Sequence, residues 1–363
     1  MRVLHCVFTL GGNGAECQLA RITVQMAEDG LDTHVAFFKG GENLKVLQNG
    51  NVTLHALPPR KKYDPRMLRD IRELISRLRP DIVQTWLTQM DILAGMSAWW
   101  LGVPVVLSER SSELAYPLNT RHLIRCVVGR RAVAVVSNSE KGCDYWQRLR
   151  FQGDIALIRN GVPFELIRQA RPSVRLPVGS GMTLPDDKKL ILFAGRYEHE
   201  KNPAVLLEAL SSALGRCDNA IAVLFGRGPM LGYMQSIHAS LPFRQRIHIL
   251  GYTDRLWEYM RRADIFISLS VFEGSPNVVL EATAAGCPLV LSDIQAHREI
   301  VDEESAMLVP AQDGNAAAEA MIKLLADPEL ASKLALAAFG RISGWSIRRA
   351  AQQYIKLYER VLF

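Results

Sequence analysis

The sequence predicts an α/β protein of two doubly wound domains, each a parallel sheet with helices on both faces. Three observations predict it. Short apolar runs rich in β-branched residues alternate with longer amphipathic stretches along the whole chain, the pattern of parallel sheets buried on both sides. The 363 residues exceed one ordinary domain. The alternation breaks once, at RPSVRLPVGSGMTLPDD, where Pro, Gly and Ser mix without a helical period. The expected division is a first domain over 1–172, a second over 187–344, and a last segment, 345–363, returning to the first domain.

In the first half, RVLHCVFTL reads as a strand and AECQLARITVQMAEDG as a helix stopped by glycine. DTHVAFF and VTLHAL are strands, and DPRMLRDIRELISRLRP carries apolar residues at helical spacing. DIVQTW, a helix from about Asp91 to Leu101, VPVVLSE, AVAVVSNSE and DIALIRNGV complete it. The second half repeats the grammar from KLILFAGR through NAIAVLFGRG, RIHILGY, DIFISLS and PLVLSD. Sites in such sheets lie at the carboxyl ends of the strands, and two such domains place one in the cleft between them. His5, inside an apolar strand, reads as a core histidine.

Six cysteines without a CxxC pair read as reduced thiols, not as a disulfide or zinc framework. MRVLHCVFTLGG reads as a first strand and not as a signal peptide. The expected location is the cytoplasm, peripheral to the inner membrane face. Residues 1–175 hold 24 Lys+Arg against 16 Asp+Glu, and residues 176–363 hold 19 against 21. The basic excess sits in PPRKKYDPRMLRDIRELISRLRP and RHLIRCVVGRR. It is either a solvated helix face or an attraction to anionic membrane lipid. Nucleic acid is not expected, because no nucleic-acid module is present and aromatics do not interleave with the basic residues.

Three segments carry chemistry. In FAGRYEHEKNPAVLLEAL a strand ends, Gly195 turns, and Arg196 and Lys201 emerge before a helix, as a diphosphate clamp requires. In LGGNGAECQLA the glycines 11, 12 and 14 let backbone amides approach an anion. This is not Gly-x-Gly-x-x-Gly, which argues against a nicotinamide cofactor. In FEGSPNVVLEATAAGCPLV, Glu281 stands at or near the first turn of a helix, where a carboxylate can accept from both hydroxyls of a ribose. Glu273, one strand end earlier, can reach a sugar hydroxyl, and Gly274 and Ser275 lie in the same turn. A helix-capping role accounts for either glutamate alone; together, eighty residues after two cations, they point to a site.

FEGSPNVVLEATAAGCPLV resembles the Glu-x7-Glu signature of the retaining GT-B glycosyltransferases, family four. GGNGAE, VVSNSE, IRNGV, AGRYEHEKN, IHILGY and MLVPAQDGNAAAEAMIKLLAD are similar to further segments of that family, in the same order. The resemblance implies a GT-B fold whose two Rossmann-like domains face a central cleft. It implies catalytic roles for Arg196 and Lys201 at the donor diphosphate and for Glu273 at the transferred sugar. Glu281 would hold the ribose, Gly12, with Gly14, the phosphate, Asn277 and Val278 the sugar and phosphate through their backbone, and Leu250 the base.

The donor implied is a nucleotide sugar, with UDP favoured over GDP. The acceptor implied is a glycan, lipid-linked, of cell-surface polysaccharide such as lipopolysaccharide, O-antigen or capsule. No cofactor and no metal are expected. The acceptor would attack on the donor's own face, the departing phosphate taking its proton. One departure is Gln89 where many relatives carry a histidine; Gln89 and Asp91 are the candidate sugar contacts there. The rival readings are a nucleotide-sugar epimerase on the same fold and a degenerate transferase acting as a scaffold.

Overall fold

The computed structural model describes residues 1–110, 119–172, 177–179, 182–185 and 187–363. Contacts divide the chain into two units, Met1–Gly161 with Trp345–Phe363, and Val162–Gly344. The first contains seven strands, β1 (Arg2–Thr9), β2 (Asp32–Lys39), β3 (Thr53–Ala56), β4 (Ile82–Trp86), β5 (Val105–Glu109), β6 (Ala134–Ser137) and β7 (Asp154–Leu157). They form one parallel sheet in the order β3-β2-β1-β4-β5-β6-β7. The order reverses between β1 and β4, the switch point at which such sheets bind ligands beyond the strands' carboxyl ends.

Local chemistry sets these elements. Val3, Leu4, Cys6 and Val7 are buried along β1, as a strand covered on both faces requires. His5 among them is fully buried, accepts from Trp86 Nε1 at 3.2 Å and is held neutral by burial, which lowers its pKa to about 3. The helix Gly14–Glu28 follows, and Gly30 supplies the left-handed φ of +91° after its end. Gln18 of that helix pairs with both backbone groups of Gly161 at 2.9 Å, joining the start and finish of the unit.

The last helix, Ile347–Leu362, is capped by the Ser346 side chain and buries Ala350, Ala351, Tyr354, Leu357 and Tyr358 in the first unit. Tyr358 Oη donates to the Gln84 side chain at 3.1 Å. Its apolar face is thus spent inside the core of the first unit.

A two-stranded antiparallel ribbon, β8 (Pro177–Gly179) and β9 (Met182–Thr183), is described within the expected linker; residues 173–176, 180, 181 and 186 of that linker lie outside the described residues. The second unit carries β10 (Lys189–Ala194), β11 (Ala220–Phe225), β12 (Ile247–Leu250), β13 (Ile265–Ser268), β14 (Leu289–Ser292) and β15 (Met307–Val309). Their parallel order β12-β11-β10-β13-β14-β15 repeats the reversal, here between β10 and β13. Residues 162–172, which the sequence places in the first domain, fall in the second unit, where the helix Phe164–Gln169 contacts the helix Asn277–Ala284. Among the described residues no helix is long and apolar enough to cross a membrane.

Candidate active site

In the second unit, Gly195, Arg196 and Lys201 follow the carboxyl end of β10, Leu250 is the last residue of β12, and Glu273 to Asn277 and Glu281 follow β13. The switch point between β10 and β13 brings the clamp cations and the first glutamate together. Lys201 Nζ donates directly to Glu273 Oε1, with both side chains largely buried. The sequence assigned these residues separate tasks, and the structure couples them.

The coupling is built by backbone. After β10 the chain turns at Gly195 and Arg196, whose guanidinium pairs with Glu198 while its side chain stays 56% exposed. A single 3₁₀ turn, His199–Lys201, ends at Asn202 in the left-handed region, φ +53°, from which the helix Pro203–Arg216 departs. Glu200 O accepts from Val271 N at 2.8 Å, tying the loop after β10 to the loop after β13. Asn202 Nδ2 donates to Ala311 O at 2.6 Å beyond β15.

Glu273 has a second donor, Ser270 Oγ at 2.9 Å. The Ser270 carbonyl accepts from Ser292 Oγ at 2.6 Å, and the Ser292 carbonyl meets His297 Nδ1 at 2.7 Å. A carbonyl only accepts, so His297 carries its proton on Nδ1. Burial lowers its pKa to about 4, so the imidazole is neutral. A chain of hydrogen bonds therefore runs from a buried histidine to the Glu273 carboxylate, and nothing in the spacing of these residues announces it.

His297→Ala is expected to lower kcat on the order of 100-fold by letting Glu273 drift, with donor KM changed far less. His297→Asn keeps an N–H donor near Nδ1 and should recover most of that loss. Steady-state kinetics of the pair check this, and equal loss in both variants would refute the relay.

The helix Asn277–Ala284 begins after Pro276 and has no acidic residue in its first turn; Glu281, its fifth residue, follows directly on that turn. The residue is 8% exposed, and its carboxylate accepts from Trp257 Nε1 at 2.9 Å. Asn277 and Val278 do occupy the first turn, where amides lack intrahelical partners and favour anions.

Other support was missed in the sequence. Buried Tyr197 donates through Oη to the carbonyls of Leu224 at 2.9 Å and Leu250 at 2.8 Å. Gly226 and Gly228 admit no side chain: a Cβ would stand 2.1 Å from Gly195 O and 2.3 Å from Tyr197 O. The Gly-x-Gly after β11 was the available signal. Arg227 between them stacks 4.7 Å from the Tyr252 ring centroid.

In the first unit Gly12 is exposed in the loop after β1, and Gly14 is exposed as the first residue of the helix that follows. The Asn43 side chain donates to Gly11 O, and the Glu42 carboxylate lies within 4 Å of a Cβ placed on Gly12. That like charge is one an approaching phosphate must displace. Of the two candidate sugar contacts beyond β4, Asp91 is drawn into the core. Asp91 is 1% exposed and accepts from Arg125 Nε at 2.8 Å and Thr85 Oγ1 at 2.7 Å, so its carboxylate is committed to the core. Gln89 is 5% exposed, with its amide 3.5 Å from the Met67 sulfur.

The fold is that of two doubly wound sheets, the second bringing a cation and a carboxylate together at its switch point. The chain matches the models of Glycosyltransferase Family 4 over residues 12–166 and of Glycosyl transferases group 1 over residues 181–341. It belongs to this glycosyltransferase family. It is 31% identical over 240 residues to a phosphatidyl-myo-inositol mannosyltransferase of Mycobacterium leprae, covering 65% of this chain and 60% of that protein. The chain thus spans less than two thirds of that relative. It is 24% identical to the lipopolysaccharide core biosynthesis glycosyltransferase LpsD of Rhizobium meliloti, covering 99% of this chain and 98% of LpsD. Among solved structures, Anabaena HepE in complex with UDP and glucose has the same GT-B fold, with TM-score 0.84 and 16% identity over 99% of this chain and 100% of HepE.

Proposed function

We propose that the protein transfers a sugar from a nucleotide-sugar donor, UDP-linked in preference to GDP-linked, to a glycan acceptor carried on a lipid, with retention of anomeric configuration. The observation that carries this reading is the direct Lys201–Glu273 pair at the switch point, with Arg196 and Glu281 on the same sheet edge. Cations there neutralise the departing diphosphate, and the carboxylates accept from ribose and sugar hydroxyls. The UDP and glucose held by HepE and the lipopolysaccharide role of LpsD support the choice of donor and of acceptor.

In the step itself the acceptor oxygen bonds to the anomeric carbon as the bond from that carbon to the phosphate oxygen breaks. The acceptor proton passes to the leaving phosphate, so no protein base is invoked. Lys201 and Arg196 act by stabilising the charge that develops on the leaving group. The reaction proceeds without a bound metal, the two cations taking its place.

The test is thermal unfolding in EDTA with UDP, GDP, ADP, NAD and nucleotide sugars. A nucleotide at about one hundred times its Kd stabilises by about 2.7 kcal/mol. A shift with uridine nucleotides alone is expected; no shift with any nucleotide would overturn the reading. Donor incubated without acceptor should stay unconverted, and a new sugar configuration in that sample would establish an epimerase instead.

A further inference from the structure

We propose that Trp257 is a positioning residue for donor binding: its indole N–H fixes the Glu281 carboxylate, and this bond sets the preference for a ribonucleoside diphosphate over its 2′-deoxy counterpart. The inference rests on the proposed function, in which Glu281 holds the ribose. Trp257 is half-buried and is the second residue of the helix Leu256–Arg262, which follows β12. Its Nε1 donates to Glu281 Oε2 at 2.9 Å, across to the helix Asn277–Ala284.

Neighbouring contacts hold the helix that carries the indole. Tyr259 is buried and meets Phe225, the last residue of β11, edge-on at 4.5 Å between ring centroids. The Met260 carbonyl accepts from Cys287 Sγ at 2.9 Å, just beyond the end of the helix that carries Glu281. Arg255, at the N-cap, pairs with Glu258 at 2.7 Å. A donor on a frame tied to both neighbours presents its N–H in one direction, as a group that aims another side chain must.

A buried carboxylate is hydrogen-bonded whatever its task, so the kind of donor decides. Glu273 is held by a cation, Lys201, and by the Ser270 hydroxyl. The bond to Glu281 comes from an indole, which donates, never accepts and carries no charge. It orients one oxygen without cancelling the carboxylate's charge, and it occupies one of about four acceptor positions. A carboxylate held in this way stays a strong acceptor, and two hydroxyls on adjacent ribose carbons match its two oxygens. The bond also joins two tasks. Trp257 belongs to the segment leaving β12, whose last residue, Leu250, the resemblance assigns to the base, whereas Glu281 is assigned to the ribose. A ring that only filled the space between the two helices would need no N–H at all.

The experiment is titration calorimetry of the full chain with UDP and with 2′-deoxy-UDP. The wild type is expected to prefer UDP by about tenfold or more, the worth of one hydrogen bond to a charged acceptor. Trp257→Phe keeps a ring in the same space and removes the N–H. It should weaken UDP about tenfold and 2′-deoxy-UDP by no more than about threefold, so the preference collapses. Trp257→His, smaller but again with an N–H, should regain part of it. Glu281→Gln, nearly isosteric, should also lose the preference, and W257F/E281Q should add little to either single change, because the two side chains act as a unit. Melting temperatures without nucleotide show that each variant is folded. The inference is overturned if the wild type binds both nucleotides equally, if Trp257→Phe keeps the wild-type preference, or if it weakens both nucleotides by the same factor, as loss of mere packing would. A wild type that binds neither nucleotide sinks the uridine donor of the proposed function and this inference with it; UDP binding with a preference untouched by Trp257→Phe sinks this inference alone.

Discussion

Lys201→Ala is expected to lower kcat for sugar transfer about a thousandfold, the upper range for removing one group that stabilises developing charge. Two effects combine. The leaving diphosphate loses a cation in a largely enclosed position, where water screens little. Glu273 loses its counter-charge and keeps Ser270 as its other donor, so the carboxylate presented to the sugar is also misplaced. Glu273→Ala should cost a comparable factor, and the double variant little more than either single one, because groups that act as a unit are not additive. Lys201→Arg, which keeps charge but not shape, should recover only part of the loss. Initial rates with saturating acceptor, beside melting temperatures for all four proteins, check this. Wild-type turnover in Lys201→Ala would remove the pair from the mechanism.

Why the pair was legible and its surroundings were not follows from what a sequence encodes. Arg196, Lys201, Glu273 and Glu281 sit beside strand ends that β-branched runs mark plainly, so their approach to one sheet edge could be read from order alone. The tie between them depends on which strands are neighbours: β10 meets β13 only because the sheet reverses there. Ser292 ends a third strand, His297 lies in the short helix Gln295–Arg298 after it, and no spacing rule links them to Glu273.

The residue at which the helix before Glu281 starts was not legible, because it depends on whether Pro276 caps the helix or begins it. The stripe on Ile347–Leu362 was visible as an amphipathic face, but periodicity does not say what an apolar face meets. Asp91 is the clearest failure. Two residues from Gln89, it read as a polar neighbour of a ligand, whereas its partner Arg125 lies thirty-four residues on and was counted among surface basic residues.

That partner sets the largest stability effect expected in the chain. Arg125 is 1% exposed and joins two buried carboxylates, Asp91 at 2.8 Å and Glu109 at 2.8 Å, with Trp146 Nε1 also donating to Glu109 at 3.0 Å. Removing one member of a buried ion cluster costs about 3–5 kcal/mol, because the remaining charge is left desolvated. Arg125→Met should therefore lower the melting temperature of the first unit by about 10 °C, at 2–4 °C per kcal/mol for a unit of this size.

The pH dependence separates this cause from lost packing. Burial already raises the Asp91 pKa to about 6, with Arg125 pulling it back down; without Arg125 it rises further. A carboxyl that holds its proton more tightly in the folded state than in the unfolded chain stabilises at low pH and loses that contribution as pH rises through the folded value. The deficit of Arg125→Met should accordingly be smallest near pH 5 and grow toward pH 8. The triple variant R125M/D91L/E109L, apolar throughout, should regain most of the stability. Melting curves of the three proteins from pH 5 to 8 decide it: a deficit that does not change with pH, or no rescue in the triple variant, would show that Arg125 acts through its bulk and not through its charge.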